Sequence, residues 1–244
     1  EGQEVEQDNE IEEELTEEDD EQTQEMKEDD LQVMENAQIK MENKIIYLKD
    51  DLPSNVNFKN SIAIDTEMTG LSLLRDRLCV VQLTDGNGEI YVIHVKPPYN
   101  CPNLKKLLTD SNIEKIFHFA RADVAMIKKC LGIDVFPIFC TKIASRLART
   151  STDKHSLKAL VKEFFDVDLN KEEQCSDWAV DTLTDSQIKY AAGDVLYLHR
   201  IKDILIQKLN REGRFELAKK CFEFLPTRCA LDLQGWQDED IFQH

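Results

Sequence analysis

The chain has 244 residues, enough for one large domain or two small ones, and a formal net charge of −18 at pH 7. Spread evenly, that charge would exclude a protein that handles phosphate backbones. It is not even: residues 1–40 hold 18 Asp and Glu against two Lys, whereas the rest of the chain holds 30 acids and 28 bases. The body is close to neutral and compatible with a polyanionic partner. Seven cysteines (Cys79, Cys101, Cys130, Cys140, Cys175, Cys221 and Cys229) form no CxxC pair and no zinc-ligand spacing with His. Their odd number within apolar segments points to reduced, mostly structural thiols. No segment is long and apolar enough to span a membrane, and the acidic start does not fit a secretory signal. A soluble cytoplasmic protein is expected, with residue 1, a Glu and not a Met, left open as a native start.

Residues 1–43 repeat Glu, Asp and Gln without aromatic residues. Such a segment cannot bury enough apolar area to offset its ordering entropy, so it is expected to be disordered. Leu31, Met34 and Ile39 offer only a weak helical pattern. The polyanion is a candidate for binding a basic partner or the domain's own binding surface; a solvated charge run is the alternative. The ordered body is expected over 44–244. Ile45–Leu48 reads as a strand, followed by the turn-prone Asp50-Asp51-Leu52-Pro53. Ser61–Glu67, Leu78–Thr84 and Glu89–Val95 read as further strands, the last two joined through Asp85-Gly86-Asn87-Gly88, a hairpin signal. After Pro97-Pro98 the pattern alternates: helix at Leu104–Leu108, strand at Lys115–Phe119, helix at Val124–Leu131, strand at Ile133–Phe139. Helices then follow at about 141–149, 156–165, 185–211 and 213–223. Thr184 and Gln187 fit a capping box at the third of these. Gly193 within it suggests that something packs closely against that turn. An antiparallel start followed by strand–helix alternation predicts a single α/β domain with a mixed sheet.

Three acidic islands stand out. Asp65 and Glu67 lie two apart at the end of an apolar strand and so project from one face. Two acids on such a face need a compensating cation, and a divalent metal is the simplest; a strand emerging into water is the alternative. Asp123 follows a strand at a helix start, where the helix dipole alone would favour it. Asp194 stands one turn after Tyr190, whose ring could equally pack in the core.

The order Asp-x-Glu on an early strand, His-(x)4-Asp after a strand and Tyr-(x)3-Asp on a late helix resembles the DEDD 3′–5′ exonucleases, in the branch that carries Tyr. Further stretches resemble ribonuclease D: Arg77-Leu78-Cys79-Val80-Val81-Gln82-Leu83, Ser176-Asp177-Trp178 and Tyr190-Ala191-Ala192-Gly193-Asp194. Phe224-Leu225-Pro226-Thr227-Arg228 and Gly235-Trp236 look like the short bacterial form, without C-terminal helical domains. The resemblance implies a ribonuclease H-like fold, a mixed sheet flanked by helices. It implies that Asp65, Glu67, Asp123 and Asp194 hold two Mg²⁺ or Mn²⁺ ions about 3.5–4 Å apart. One ion would activate a water in line with the last phosphodiester, and the other would stabilise the departing 3′ oxygen. Tyr190, with an ordinary pKa of about 10, would position that water more than act as a strong base.

By the same resemblance Met68, Thr69 and Leu71 would line the terminal nucleotide, with Leu71 wedged against a base. Gln82 and His118 would line the same cleft, His118 having a structural strand-end role as the alternative. Phe119 stands where relatives often carry Asn, which favours stacking on a base over a polar contact. Lys142, Arg146, Arg149, Lys154, His155 and Lys158 form a basic run, either a phosphate track or a solvated surface. The expected activity is metal-dependent release of nucleoside 5′-monophosphates from RNA 3′ ends, in maturation or turnover of stable RNA such as tRNA precursors. A DNA-directed 3′–5′ exonuclease and a non-catalytic nucleic-acid-binding module are the alternatives.

Overall fold

The computed structural model describes residues 43–169 and 172–243. The acidic segment lies outside the described residues except for Asn43. Strands β1 (Lys44–Lys49), β2 (Ser61–Met68), β3 (Leu78–Thr84) and β4 (Glu89–His94) come first. They are followed by α1 (Pro102–Thr109), β5 (Glu114–Phe117), α2 (Ala120–Leu131) and β6 (Ile138–Cys140). Five helices close the chain: α3 (Thr141–Ala148), α4 (Leu157–Phe165), α5 (Asp185–Gly193), α6 (Leu198–Arg211) and α7 (Phe215–Leu233). The strands form one sheet in the order β1-β4-β3-β2-β5-β6. β2–β3 and β3–β4 are antiparallel, while β1–β4, β2–β5 and β5–β6 are parallel, so the expected mixed sheet is present.

Local sequence explains much of this. Every residue of β3 is buried, as a near-continuous apolar run in a central strand should be. The hairpin after it turns on Gly86 and Gly88, at φ 81 and 93, conformations glycine adopts without strain. α1 has Pro at its start but no cap from its own sequence; Asp51 accepts the Asn103 and Leu104 N–H groups at 2.9 and 2.8 Å. The capping box at α5 forms as expected, with Gln187 N to Thr184 Oγ1 at 3.2 Å and Thr184 N to Gln187 Oε1 at 2.9 Å. Among the described residues no helix is long and apolar enough to cross a membrane.

Four expectations need correction. The helix expected over 185–211 divides, with turns at 194–197 between α5 and α6. Val195, Tyr197 and Leu198 are all buried, more than one helical face can supply, and the break lets Tyr197 stack on Phe165 at 5.3 Å. Gly193 has open space where its Cβ would stand, so nothing packs tightly there. The strand expected from Ile133 starts only at Ile138, after Pro137, which has no N–H to give a ladder. The last helix runs through Pro226 to Leu233, because burial of Phe222, Leu225 and Cys229 outweighs one lost backbone bond.

Candidate active site

The site forms where β2 ends. Asp65 and Glu67 project from one face of β2, and Thr66 from the other. α5 packs across β1, β4, β3 and β2 and delivers Asp194 at its C-terminal end. Carboxylate oxygens of Asp65, Glu67 and Asp194 lie within 4.8 Å of one another. Asp123 reaches the site from the first turn of α2, and its Oδ1 accepts a 2.6 Å bond from the Thr66 hydroxyl. It stands outside the three-carboxylate set, yet its charge acts on both Asp65 and Glu67.

Burial without a cation makes these acids hard to ionise. Burial first, then the charges of Asp123, Asp194 and Glu67, holds the Asp65 carboxyl well above the usual range. Glu67 is pushed up to about 9 by burial and by Asp194 and Asp123. Asp123 is raised by burial to about 7, against the lowering bond from Thr66. An all-oxygen set of mutually repelling carboxylates suits hard divalent cations such as Mg²⁺ or Mn²⁺, and among the described residues no Cys or His joins it to favour zinc. Tyr190 stands beside it on α5, its ring 6.0 Å from that of the buried Trp178. Burial, then Asp194, Glu67 and Asp65, pushes its hydroxyl pKa upward, so it stays protonated at neutral pH.

The expected substrate contacts divide. Gln82 is a correction: it is fully buried, directly opposite Asp65 on β3, and donates from Nε2 to Asp65 Oδ2 at 2.7 Å. It orients a carboxylate and does not line a cleft. His118 is held through Nδ1 by Thr141 Oγ1 at 2.9 Å, and burial, then Lys142, lowers its pKa to about 3. Phe119 is 44% exposed and takes φ 66, a left-handed conformation that Asn tolerates better than Phe. The Lys142 ammonium lies 4.0 Å from the centre of its ring. Of the basic run, Arg149 leaves the phosphate track: it is buried, paired with Glu163 and bonded to Ser145 Oγ and Lys154 O, both at 2.9 Å.

Met68 follows a register shift in β2, and Leu71 is 85% exposed in the next loop. That loop is organised by Asp76, which accepts Ser72 N at 2.8 Å and Thr69 Oγ1 at 3.4 Å. A Cβ on Gly70 would stand 2.5 Å from Asp76 Oδ2, so any larger residue there would displace the carboxylate that organises the loop. Thr66, Asp76 and the orienting role of Gln82 escaped the sequence. Only the pairing of Gln82 with Asp65 across two antiparallel strands could have signalled the last.

Residues 48–210 match the family model described as 3′–5′ exonuclease. Ribonuclease D of Xanthomonas oryzae pv. oryzae is 35% identical over 176 residues, 72% of this chain and 48% of that protein. The chain thus spans about half the length or less of the curated relatives it matches. Among solved structures, Brucella melitensis NrnC bound to pGG is 50% identical with a TM-score of 0.79, covering 83% of this chain and 99% of that one. The same protein has also been solved with bound Mg²⁺. Escherichia coli RNase D, described as an exoribonuclease involved in structured RNA processing, is 26% identical with a TM-score of 0.64, covering 74% and 48%. With its mixed sheet, its clustered carboxylates and a family match over most of its length, the chain belongs to the 3′–5′ exonuclease family.

Proposed function

We propose that this protein is a metal-dependent 3′–5′ exoribonuclease that releases nucleoside 5′-monophosphates from RNA 3′ ends, and that its preferred substrates are short. The observation that carries the reading is the trio Asp65, Glu67 and Asp194, three carboxylates gathered within 4.8 Å. Asp65, Glu67, Asp194 and Asp123 would hold two divalent ions. Bound there, the ions would supply Lewis-acid activation of water and neutralise charge on the phosphate and the leaving 3′ oxygen. Gln82 and Thr66 fix the rotamers of Asp65 and Asp123. Tyr190, protonated near pH 7, would donate its hydroxyl to orient the attacking water. The exposed side chains of Leu71 and Phe119 would pack on bases, with Met68 and Thr69 beside the terminal ribose. Tyr190→Phe is expected to retain the fold and RNA affinity while lowering kcat about 10- to 100-fold, read in single-turnover kinetics. An unchanged kcat would remove Tyr190 from the reaction.

The preference for short RNA draws on NrnC, which matches nearly end to end and was solved with pGG, by its notation a 5′-phosphorylated GG dinucleotide. The ribonuclease D relatives favour a second reading, trimming of longer stable RNA such as tRNA precursors. Hydrolysis of pGG, a longer unstructured RNA and the matched DNA separates these. Faster turnover of pGG supports the first reading; trimming of long RNA with pGG left intact supports the second. Equal or faster digestion of DNA contradicts the RNA assignment.

A further inference from the structure

The start of α2 is held only in part by its own sequence, through Ala122 N to Phe119 O at 3.2 Å and the Asp123 carboxylate on its own backbone N–H. Phe119, at its N-cap, has left-handed backbone and makes no side-chain capping bond. The C-terminal part of the chain supplies the rest of the fixation. Arg121 Nε and Nη2 donate to Asp232 Oδ2 and Oδ1 at 2.7 and 2.8 Å, a bidentate pair with a carboxylate only 5% exposed. Arg121 Nη2 also donates to Gln237 O at 2.7 Å, and the Cys229 thiol donates to Arg121 O at 3.4 Å. Arg228 completes the arrangement, reaching Asp232 Oδ1 at 2.9 Å and Trp236 O at 2.6 Å. The last turns of α7 and the following segment therefore grip both the backbone and the side chain of one residue of α2.

That residue lies two positions before Asp123. Two positions on an α-helix are about 200° apart around the axis, so Arg121 and Asp123 point to nearly opposite sides. Thr66 bolts one side through Asp123 and Asp232 bolts the other through Arg121. Releasing either would free the first turn of α2 to rotate and carry the Asp123 carboxylate with it. We infer that Asp232 is a positioning residue for the carboxylate centre, acting through Arg121 on Asp123. The inference rests on the reading that Asp123 takes part in holding the divalent ions. It gives a role to the C-terminal Arg228 and Trp236, which the catalytic residues leave unexplained.

The test is Mn²⁺ binding to the full chain without nucleic acid, by calorimetry and by the spectrum of the bound ion, for Asp232→Asn, Arg121→Lys, Asp123→Asn and Leu104→Ala. Arg121→Lys keeps the charge but loses the fork, and serves if Asp232→Asn does not fold. Leu104→Ala removes a buried side chain of α1, a helix that takes no part in the clamp. Asp232→Asn and Arg121→Lys are expected to weaken Mn²⁺ binding about 10- to 100-fold, as loss of a group that orients a ligand does. Leu104→Ala should lose thermal stability with Mn²⁺ affinity unchanged. Wild-type Mn²⁺ affinity in folded Asp232→Asn or Arg121→Lys, or an equal loss in Leu104→Ala, overturns the inference. Unchanged Mn²⁺ binding in Asp123→Asn instead overturns the reading beneath it.

Discussion

Asp65→Asn is expected to give a folded protein that digests RNA at least about a thousandfold more slowly, a loss of about 4 kcal/mol of transition-state stabilisation. Asp65 is buried among Asp123, Asp194 and Glu67, each of which raises its pKa, so ionising it costs the metal-free fold stability, and in the proposed function its charge serves a cation. An amide at this position keeps an oxygen for the bond from Gln82 Nε2 and removes one repelling charge. Activity should therefore collapse while the thermal stability of the metal-free protein holds or rises. The two readouts together distinguish this from simple unfolding, in which both would fall. Single-turnover rates within tenfold of wild type would contradict the assignment of Asp65.

Adding Mg²⁺ is expected to raise the melting temperature by an amount that grows between pH 6 and pH 9. Burial and mutual repulsion hold Asp65 up, Glu67 at about 9 and Asp123 at about 7 in the metal-free fold. Unfolded carboxyl groups titrate at about 4, so between about pH 4 and pH 9 the folded state binds more protons than the unfolded one. The folded state thus loses relative stability as pH rises through that window. A divalent cation needs the ionised carboxylates and offsets the repulsion that burdens them at high pH. At a hundredfold excess over Kd, binding contributes about 2.7 kcal/mol, or about 5 to 10 °C for a domain of this size. Calorimetry at three pH values with and without Mg²⁺ checks this. An increment that shrinks toward pH 9 would mean that the ions bind elsewhere.

The parts of the molecule legible in the sequence are those governed by local rules. Alternation along Ser61–Met68 sets Asp65 and Glu67 on one face, and Thr184 with Gln187 announces the start of α5. The parts that were not legible depend on distant partners. The break at 194–197 follows from Tyr197 meeting Phe165, and the continuation of α7 through Pro226 follows from burial along the helix. Gln82 looks like a cleft residue until strand register sets it opposite Asp65. Arg121 and Asp232 are separated by 111 positions, and no periodicity links them. Capping followed the same division: Asp51, far from α1 in sequence, caps it, whereas α5 caps itself.

The most direct test of the central claim is the product of the reaction. A 5′-labelled RNA and its released products should be followed by gel and mass spectrometry, with Mg²⁺ or Mn²⁺ present and then chelated. The carboxylate site predicts a ladder that shortens one nucleotide at a time from the 3′ end, with nucleoside 5′-monophosphates released and all cleavage stopped by chelation. Internal cuts, nucleoside 3′-phosphates or cleavage that persists after chelation would contradict it.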